Sequence, residues 1–141
     1  MIFIYTIPSC SSCKKAELWF KAHDIEYKKI NMLADKITAK DIMKMLSLTE
    51  TGTEEIISRR SKAYQRLNRN LDNFTLDELI NVIEENRTIL RRPIIVDEKR
   101  IQVGYNDDDI RKFLPRTFRE VKLKADYESI RQHMREAGEL A

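Results

Sequence analysis

Two cysteines separated by two residues, Cys10 and Cys13, are the side chains best suited to chemistry in this sequence. The reactive form of cysteine is the thiolate, whose pKa falls at helix N-termini, near cations and in Cys-X-X-Cys motifs. Lys14 and Lys15 follow the pair directly. Because thiols three residues apart across a helix start can meet with little backbone movement, we predict a redox-active dithiol. Cys10 is then the exposed nucleophile, and Cys13 resolves the intermediate.

Two other interpretations of the cysteine pair are packing inside a core and half of a zinc site. Structural zinc needs four ligands, usually Cys or His. The two histidines, His23 and His133, offer no matching ligand pair. We therefore expect no metal and no other cofactor.

The position of both cysteines in one four-residue window indicates a reducing compartment, because secreted disulfide scaffolds spread their cysteines. The apolar run 2–7 is too short for a signal peptide, and no stretch approaches transmembrane length. We expect a cytoplasmic protein that does not bind a membrane. The 141 residues are 42% hydrophobic, which suits one compact domain, with or without a small insertion. A net charge of +3 is too weak to predict nucleic-acid binding.

The segment around the dithiol predicts a β-α-β unit. β-Branched and aromatic residues over 2–7 predict a buried strand. Apolar residues at helical spacing predict a helix from Ser11 to His23. A second strand over 26–30 makes the strand pair parallel.

The segment after Arg92-Pro93 predicts a β-β-α unit. Strands over 94–96 and 101–103 are joined by a short polar turn, which predicts an antiparallel hairpin. Asn106 caps a following helix that ends at Pro115, and acidic residues at 107–109 complement the positive helix end.

The residues between these halves predict helices over 38–48 and 53–68, the second either continuous or broken near Arg60-Ser61. Thr75 and Glu78 have the spacing of a capping box that starts a third helix. The expected fold is α/β and thioredoxin-like, with a mixed four-stranded sheet. Its predicted parts are a redox domain (1–30 plus 91–115), an inserted helical domain (31–90) and a tail, partly helical or mobile (116–141).

Pro93 stands immediately before the third predicted strand, where thioredoxin folds carry a cis-proline that faces the dithiol. The alternative is an ordinary trans proline that opens a strand. Arg92 would place a permanent cation near the sulfurs, unless it is a surface arginine without such a role.

Five cations occur within eleven residues with no acid between them: Arg59, Arg60, Lys62, Arg66 and Arg69. A solvated helix face explains such a run, and so does docking to an acidic protein surface or to DNA phosphates. Gly52 is one of three glycines. It marks a tight turn, the close approach of another backbone, or a helix C-cap.

Three segments together resemble the Spx proteins, bacterial transcriptional regulators of the arsenate-reductase-like branch of the thioredoxin fold. The segments are PSCSSCKKA at 8–16, TETGTEEII at 49–57 and LRRPIIVDEKRIQVGYN at 90–106. The resemblance covers about residues 1 to 116 and is much weaker in the tail.

The resemblance implies a redox-sensing global regulator that binds the C-terminal domain of the RNA polymerase α subunit and meets promoter DNA only within that complex. Such a regulator activates genes of thiol homeostasis and oxidative stress and interferes with other activators. The resemblance also implies a Cys10–Cys13 disulfide as the switch, Gly52 at the α-subunit contact, Arg92 near the dithiol and a role for Arg60. Degradation by ClpXP with an adaptor, through the C-terminus, is implied too. We expect a monomer without enzymatic activity.

Two enzyme interpretations remain as alternatives. Cys10, Arg60 and Arg92 match the pattern of glutaredoxin-linked arsenate reductases, which hold an oxyanion with arginines. Those enzymes carry a further arginine where Tyr105 stands here, and Cys13 is not part of their pattern. A general thiol-disulfide oxidoreductase fits the dithiol but leaves the helical insertion unexplained.

Overall fold

The computed structural model of the chain describes residues 1–68 and 70–115. Arg69 and the predicted tail over 116–141 lie outside the described residues. The chain divides into two compact units, Met1–Ile110 and Arg111–Ala141. All helices and strands given below lie in the first unit, except that the last 3₁₀ helix runs on to Phe113.

One sheet of four strands organises the first unit. The strands are β1 (Phe3–Thr6), β2 (Lys28–Asn31), β3 (Ile94–Val96) and β4 (Ile101–Val103). Their order is β2-β1-β3-β4. β1 pairs with β2 in parallel, whereas the β1–β3 and β3–β4 pairs are antiparallel. This is the mixed four-stranded sheet that the sequence predicts.

The β-α-β unit forms where the apolar pattern predicts it. α1 (Ser11–Ala22) buries Cys13, Ala16 and Phe20, three side chains at the spacing of one helix face. The second strand starts and ends slightly later than predicted, at Lys28–Asn31 rather than at 26–30. α1 therefore returns the chain to the edge of the sheet that β2 occupies.

The segment between the halves is helical, as predicted, but more divided. It contains α2 (Ala39–Leu48), α3 (Thr53–Ile56), α4 (Lys62–Leu67), α5 (Leu76–Glu85) and 3₁₀ helices at Leu71–Asn73 and Arg87–Ile89. The segment 53–68 is broken rather than continuous, and the break begins earlier than Arg60-Ser61, because the chain is extended at Ile57 and forms a β-bridge there with Leu90. Asn106 does cap a helix, which is a 3₁₀ helix at Asp109–Phe113.

The hydrophobic core joins the sheet to the inserted helices. Tyr5 and Ile94 of the sheet belong to the same buried cluster as Ile42 of α2 and Ile83 of α5. The unit Met1–Ile110 therefore includes both predicted parts. Their division into separate domains stays a prediction.

The capping box lies at a different helix from the one predicted. Thr75 accepts a hydrogen bond from the Glu78 backbone N–H at 3.2 Å, but the described residues hold no return bond to the Glu78 side chain. The complete box is at α2, where Thr38 and Asp41 bond reciprocally. The Asp41 carboxylate also accepts a hydrogen bond from the Tyr5 hydroxyl at 3.3 Å, which links the start of α2 to the sheet.

No helix in the described ranges is both long and apolar enough to span a bilayer.

The two N-caps predict different losses of stability. We expect Thr38→Ala to lower the free energy of unfolding by about 1–2 kcal/mol, and Thr75→Ala by about 0.5–1 kcal/mol, within the range of N-cap deletions. The larger loss follows because only the Thr38 box is reciprocal. Urea unfolding of both variants measures the difference, and an equal or reversed order would contradict it.

Candidate functional site: a dithiol at the start of the first helix

The dithiol lies in the connection between β1 and α1. Cys10 is the N-cap of α1, with extended backbone at φ −99° and ψ 110°. Its Sγ accepts a hydrogen bond from the Cys13 backbone N–H at 3.2 Å. Ser9, immediately before it, has φ of 62°, a left-handed conformation that turns the chain out of the strand. Cys10 thus occupies the helix end, where its sulfur meets a free backbone amide.

The two thiols differ in exposure. Cys10 is partly exposed, whereas Cys13 is 2% exposed. Burial first, and then the hydrogen bond with Cys10, raise the pKa of Cys13 to about 12, against lowering effects of the Ile7 backbone and the Arg92 charge. Cys13 is therefore a neutral thiol near pH 7, and chemistry with solvent has to begin at Cys10.

The segment Arg92-Pro93 carries a charge that acts on the buried thiol. The Arg92–Pro93 peptide bond is cis, and the Pro93 carbonyl accepts a hydrogen bond from the Gly104 N–H at 2.8 Å. Arg92 is half-buried, and its positive charge acts on the Cys13 thiol. Arg92 is thus the predicted cation that the described residues bring to the sulfurs.

A cavity of about 310 Å³ opens beside Arg92. Hydroxyl groups and two guanidinium groups line part of it: Ser58, Ser61, Thr88, Arg91 and Arg92. A polar cavity of this kind can accept a small anion or an acidic side chain of a partner.

The basic run is dispersed by the fold. Arg60 lines a second cavity of about 500 Å³, together with Arg59, Arg91 and Glu54. Lys62 and Arg66 are exposed on α4, and Arg69 lies outside the described residues.

Among the described cations of the run, Arg59 forms an ion pair with an acid. Its guanidinium lies 2.6 Å from the Asp72 carboxylate. The sequence shows no acid within the run, but the 3₁₀ helix at Leu71–Asn73 brings Asp72 back to it. Part of the predicted positive surface is therefore locally neutralised.

Gly52 is the N-cap of α3, with φ of 95° and ψ of −138°. The alternative interpretation of Gly52 as a helix C-cap is wrong, because the C-cap residue of α2 is Thr49, which has extended backbone. A Cβ built on Gly52 would meet no atom within 4 Å. The backbone conformation therefore requires glycine, while the space around it is open to another molecule.

The sequence interpretation missed Arg91. Its backbone N–H donates to the Ile56 carbonyl at 2.7 Å, and its Nε donates to the Ile57 carbonyl at 3.2 Å. Arg91 lines both cavities and ties the segment before Arg92 to the end of α3. The available signal was the arginine doublet before Pro93.

The described residues contain no cluster of three or more His, Cys, Asp or Glu side chains suited to a metal ion.

Comparisons with known proteins agree with this geometry. A family model described as the ArsC family matches residues 5–113. The global transcriptional regulator Spx of Listeria innocua is 51% identical over 124 residues, which cover 88% of this chain and 95% of that protein. The protein of the same name from Lactiplantibacillus plantarum is 50% identical over 123 residues, 87% of this chain and 93% of its own.

A solved arsenate reductase from Vibrio cholerae shares the fold. It superposes with a TM-score of 0.68 at 20% identity, over 80% of this chain and 97% of that chain. The likeness concerns the fold alone. The predicted thioredoxin-like fold and the resemblance to Spx proteins are confirmed, and this chain belongs to the ArsC family, among its Spx members.

Proposed function

We propose that this chain is a redox-sensing transcriptional regulator that binds the C-terminal domain of the RNA polymerase α subunit. The observation that carries the proposal is the unequal dithiol, with an accessible Cys10 over a buried Cys13. It occurs in a chain about half identical to proteins named as transcriptional regulators. Such a regulator works in the cytoplasm, as a monomer, and reaches promoter DNA only within the polymerase complex.

The proposed switch is an intramolecular disulfide formed during disulfide stress. The Cys10 thiolate attacks one sulfur of a small disulfide and releases one thiolate, which leaves a mixed disulfide on Cys10. Cys13 then loses its proton and attacks the Cys10 sulfur, which releases the second thiolate. Two protein thiols are oxidised and one small disulfide is reduced to two thiols.

Formation of this bond changes the start of α1. In the reduced protein the Cys10 sulfur accepts a hydrogen bond from the Cys13 N–H, and Arg92 acts on the Cys13 sulfur. Once both sulfurs are joined, Cys13 no longer carries a thiol beside the Arg92 charge, and the Cys10 sulfur is drawn towards Cys13. Arg92 and the surface beside it then reorganise, which changes the affinity for the partner.

Gly52 is the proposed contact with the α subunit, because the open space at its Cα suits the close approach of a partner. Arg60, with Arg59, Lys62 and Arg66, would face acidic protein groups or promoter phosphates. Arg69 belongs to the same run in the sequence but lies outside the described residues. Control by ClpXP and an adaptor would act through the tail, which lies outside the described residues.

Arsenate reduction is the weaker function. Its oxyanion would be held by clustered guanidinium groups. Arg92 and Arg60 line different cavities in the described structure, and Tyr105 stands where those enzymes carry another arginine. These observations favour regulation over catalysis.

Oxidation should strengthen partner binding. We expect the oxidised protein to bind the polymerase α C-terminal domain about fivefold or more tightly than the reduced protein, the scale of ordinary coupling between two sites. Cys10→Ala should bind like the reduced protein under both conditions. Calorimetric titration measures the three affinities, and equal binding by all three would rule out the switch.

Gly52→Arg should abolish binding to the same domain without unfolding the protein, because the new side chain occupies the open contact space. Gly52→Ala distinguishes steric blocking of the partner contact from strain in the backbone at residue 52. It should cost about 1–3 kcal/mol of unfolding free energy at this positive φ and retain measurable binding. Ala22→Arg, which adds the same charge on exposed α1, is the control. Full binding by Gly52→Arg would refute the contact.

The buried thiol should react slowly. In Cys10→Ala the remaining Cys13 loses one of the contacts that raise its pKa, but burial, the largest cause, stays. We expect iodoacetamide at pH 8 to alkylate Cys13 more than about tenfold more slowly in the folded variant than in the same variant unfolded in urea. The reason is that one unit of pKa changes the thiolate fraction tenfold. Comparable alkylation rates in the folded and unfolded states would contradict the raised pKa of Cys13.

A further inference from the structure

We propose that Glu55 is the positioning residue that holds the Gly52 loop, residues 50–52, in the form that the partner binds. This inference rests on the proposed function, in which Gly52 contacts the polymerase domain. Glu55 lies on α3, three residues after Gly52.

The Glu55 carboxylate bonds back to the loop. Its Oε2 accepts hydrogen bonds from the Thr51 backbone N–H at 2.5 Å and from the Thr51 hydroxyl at 3.0 Å. The backbone N–H groups of Glu50 and Gly52 also act on this carboxylate. The Thr51 amide and hydroxyl thus converge on one anion, an arrangement that orders a backbone turn.

The loop has little else to hold it. Gly52 makes no side-chain cap for α3, and α3 is only four residues long. In the described part of the chain, no side chain other than Glu55 makes a hydrogen bond to residues 50–52. On the α2 side the chain is fixed at Thr49, whose hydroxyl donates to the Leu46 carbonyl at 2.6 Å. The Gly52 carbonyl also accepts a hydrogen bond from the Glu55 backbone N–H at 3.1 Å. The side-chain bonds of Glu55 add to this backbone bond in holding Gly52 at its positive φ.

The charge of Glu55 takes part in this role. Hydrogen bonds from the loop backbone, Thr51 first, hold the pKa of Glu55 below its ordinary value. A carboxyl whose pKa is depressed in the folded protein contributes its stabilisation above its unfolded pKa. That contribution is lost as the pH falls through the folded pKa, so the loop is held at neutral pH and loosens in acid.

Glu54 provides a matched control. It precedes Glu55 on the same short helix and carries the same charge, but it faces the cavity lined by Arg59 and Arg60. Glu54→Gln and Glu55→Gln therefore remove equal charge from nearly the same place. Only the second removes an acceptor of the loop amides.

The experiment compares full-length wild type, Glu55→Gln, Glu54→Gln and Gly52→Arg. We expect Glu55→Gln to bind the polymerase α C-terminal domain about tenfold more weakly, as for loss of a charge-assisted hydrogen bond that orders a contact. Without the partner, the Thr51 and Gly52 amides of this variant should exchange with deuterium faster, while its unfolding midpoint stays near that of wild type. Glu54→Gln should show neither change.

The outcomes separate the two proposals. If Gly52→Arg binds normally, the proposed contact itself fails. If Gly52→Arg abolishes binding but Glu55→Gln binds like wild type, the positioning role is wrong. Weaker binding of Glu55→Gln with unchanged amide exchange would place Glu55 in direct contact with the partner and also overturn the role. Equal weakening by Glu54→Gln would do so as well, since it would assign the effect to general charge.

Discussion

The antiparallel pairing of β1 with β3 is the constraint on which the dithiol site depends. In this register Tyr5 lies opposite Ile94. Arg92 and Pro93 come directly before Ile94, so they lie at the end of the strand pair where β1 ends. That end of β1 is also where the chain turns through Ser9 to the cysteines. A single pairing of central strands thus lets the charge of Arg92 act on the Cys13 thiol, although the two residues are far apart in the sequence.

The elements that carry the site were accessible from the sequence, because their causes are local. Apolar alternation and helical spacing predicted β1, α1 and the hairpin within a few residues of their observed bounds. The position of Cys10 before a helix predicted its contact with free amides. The resemblance to a known family gave expected roles to Gly52 and Arg60, for which composition alone left several interpretations open.

The remaining features depend on contacts between distant residues. The break after α3 exists because Ile57 pairs with Leu90, 33 residues later. The partial neutralisation of the basic run comes from Asp72, which the sequence separates from Arg59 by a helix. The choice of Thr38 over Thr75 for the complete capping box goes with Asp41, which also contacts Tyr5. Each of these requires the assembled core.

Because Cys13 is buried, the proposed sensor can react with other molecules only through Cys10. Oxidants have access to one sulfur only, and so do the reductants that would restore the thiols. Any mixed disulfide that forms on Cys10 lies next to the Cys13 thiol, which can displace the added group. Large mixed disulfides would therefore be short-lived intermediates rather than stable products. The rate of oxidation of the dithiol and the rate of its reduction back to thiols are then both limited at a single surface atom, the Cys10 sulfur.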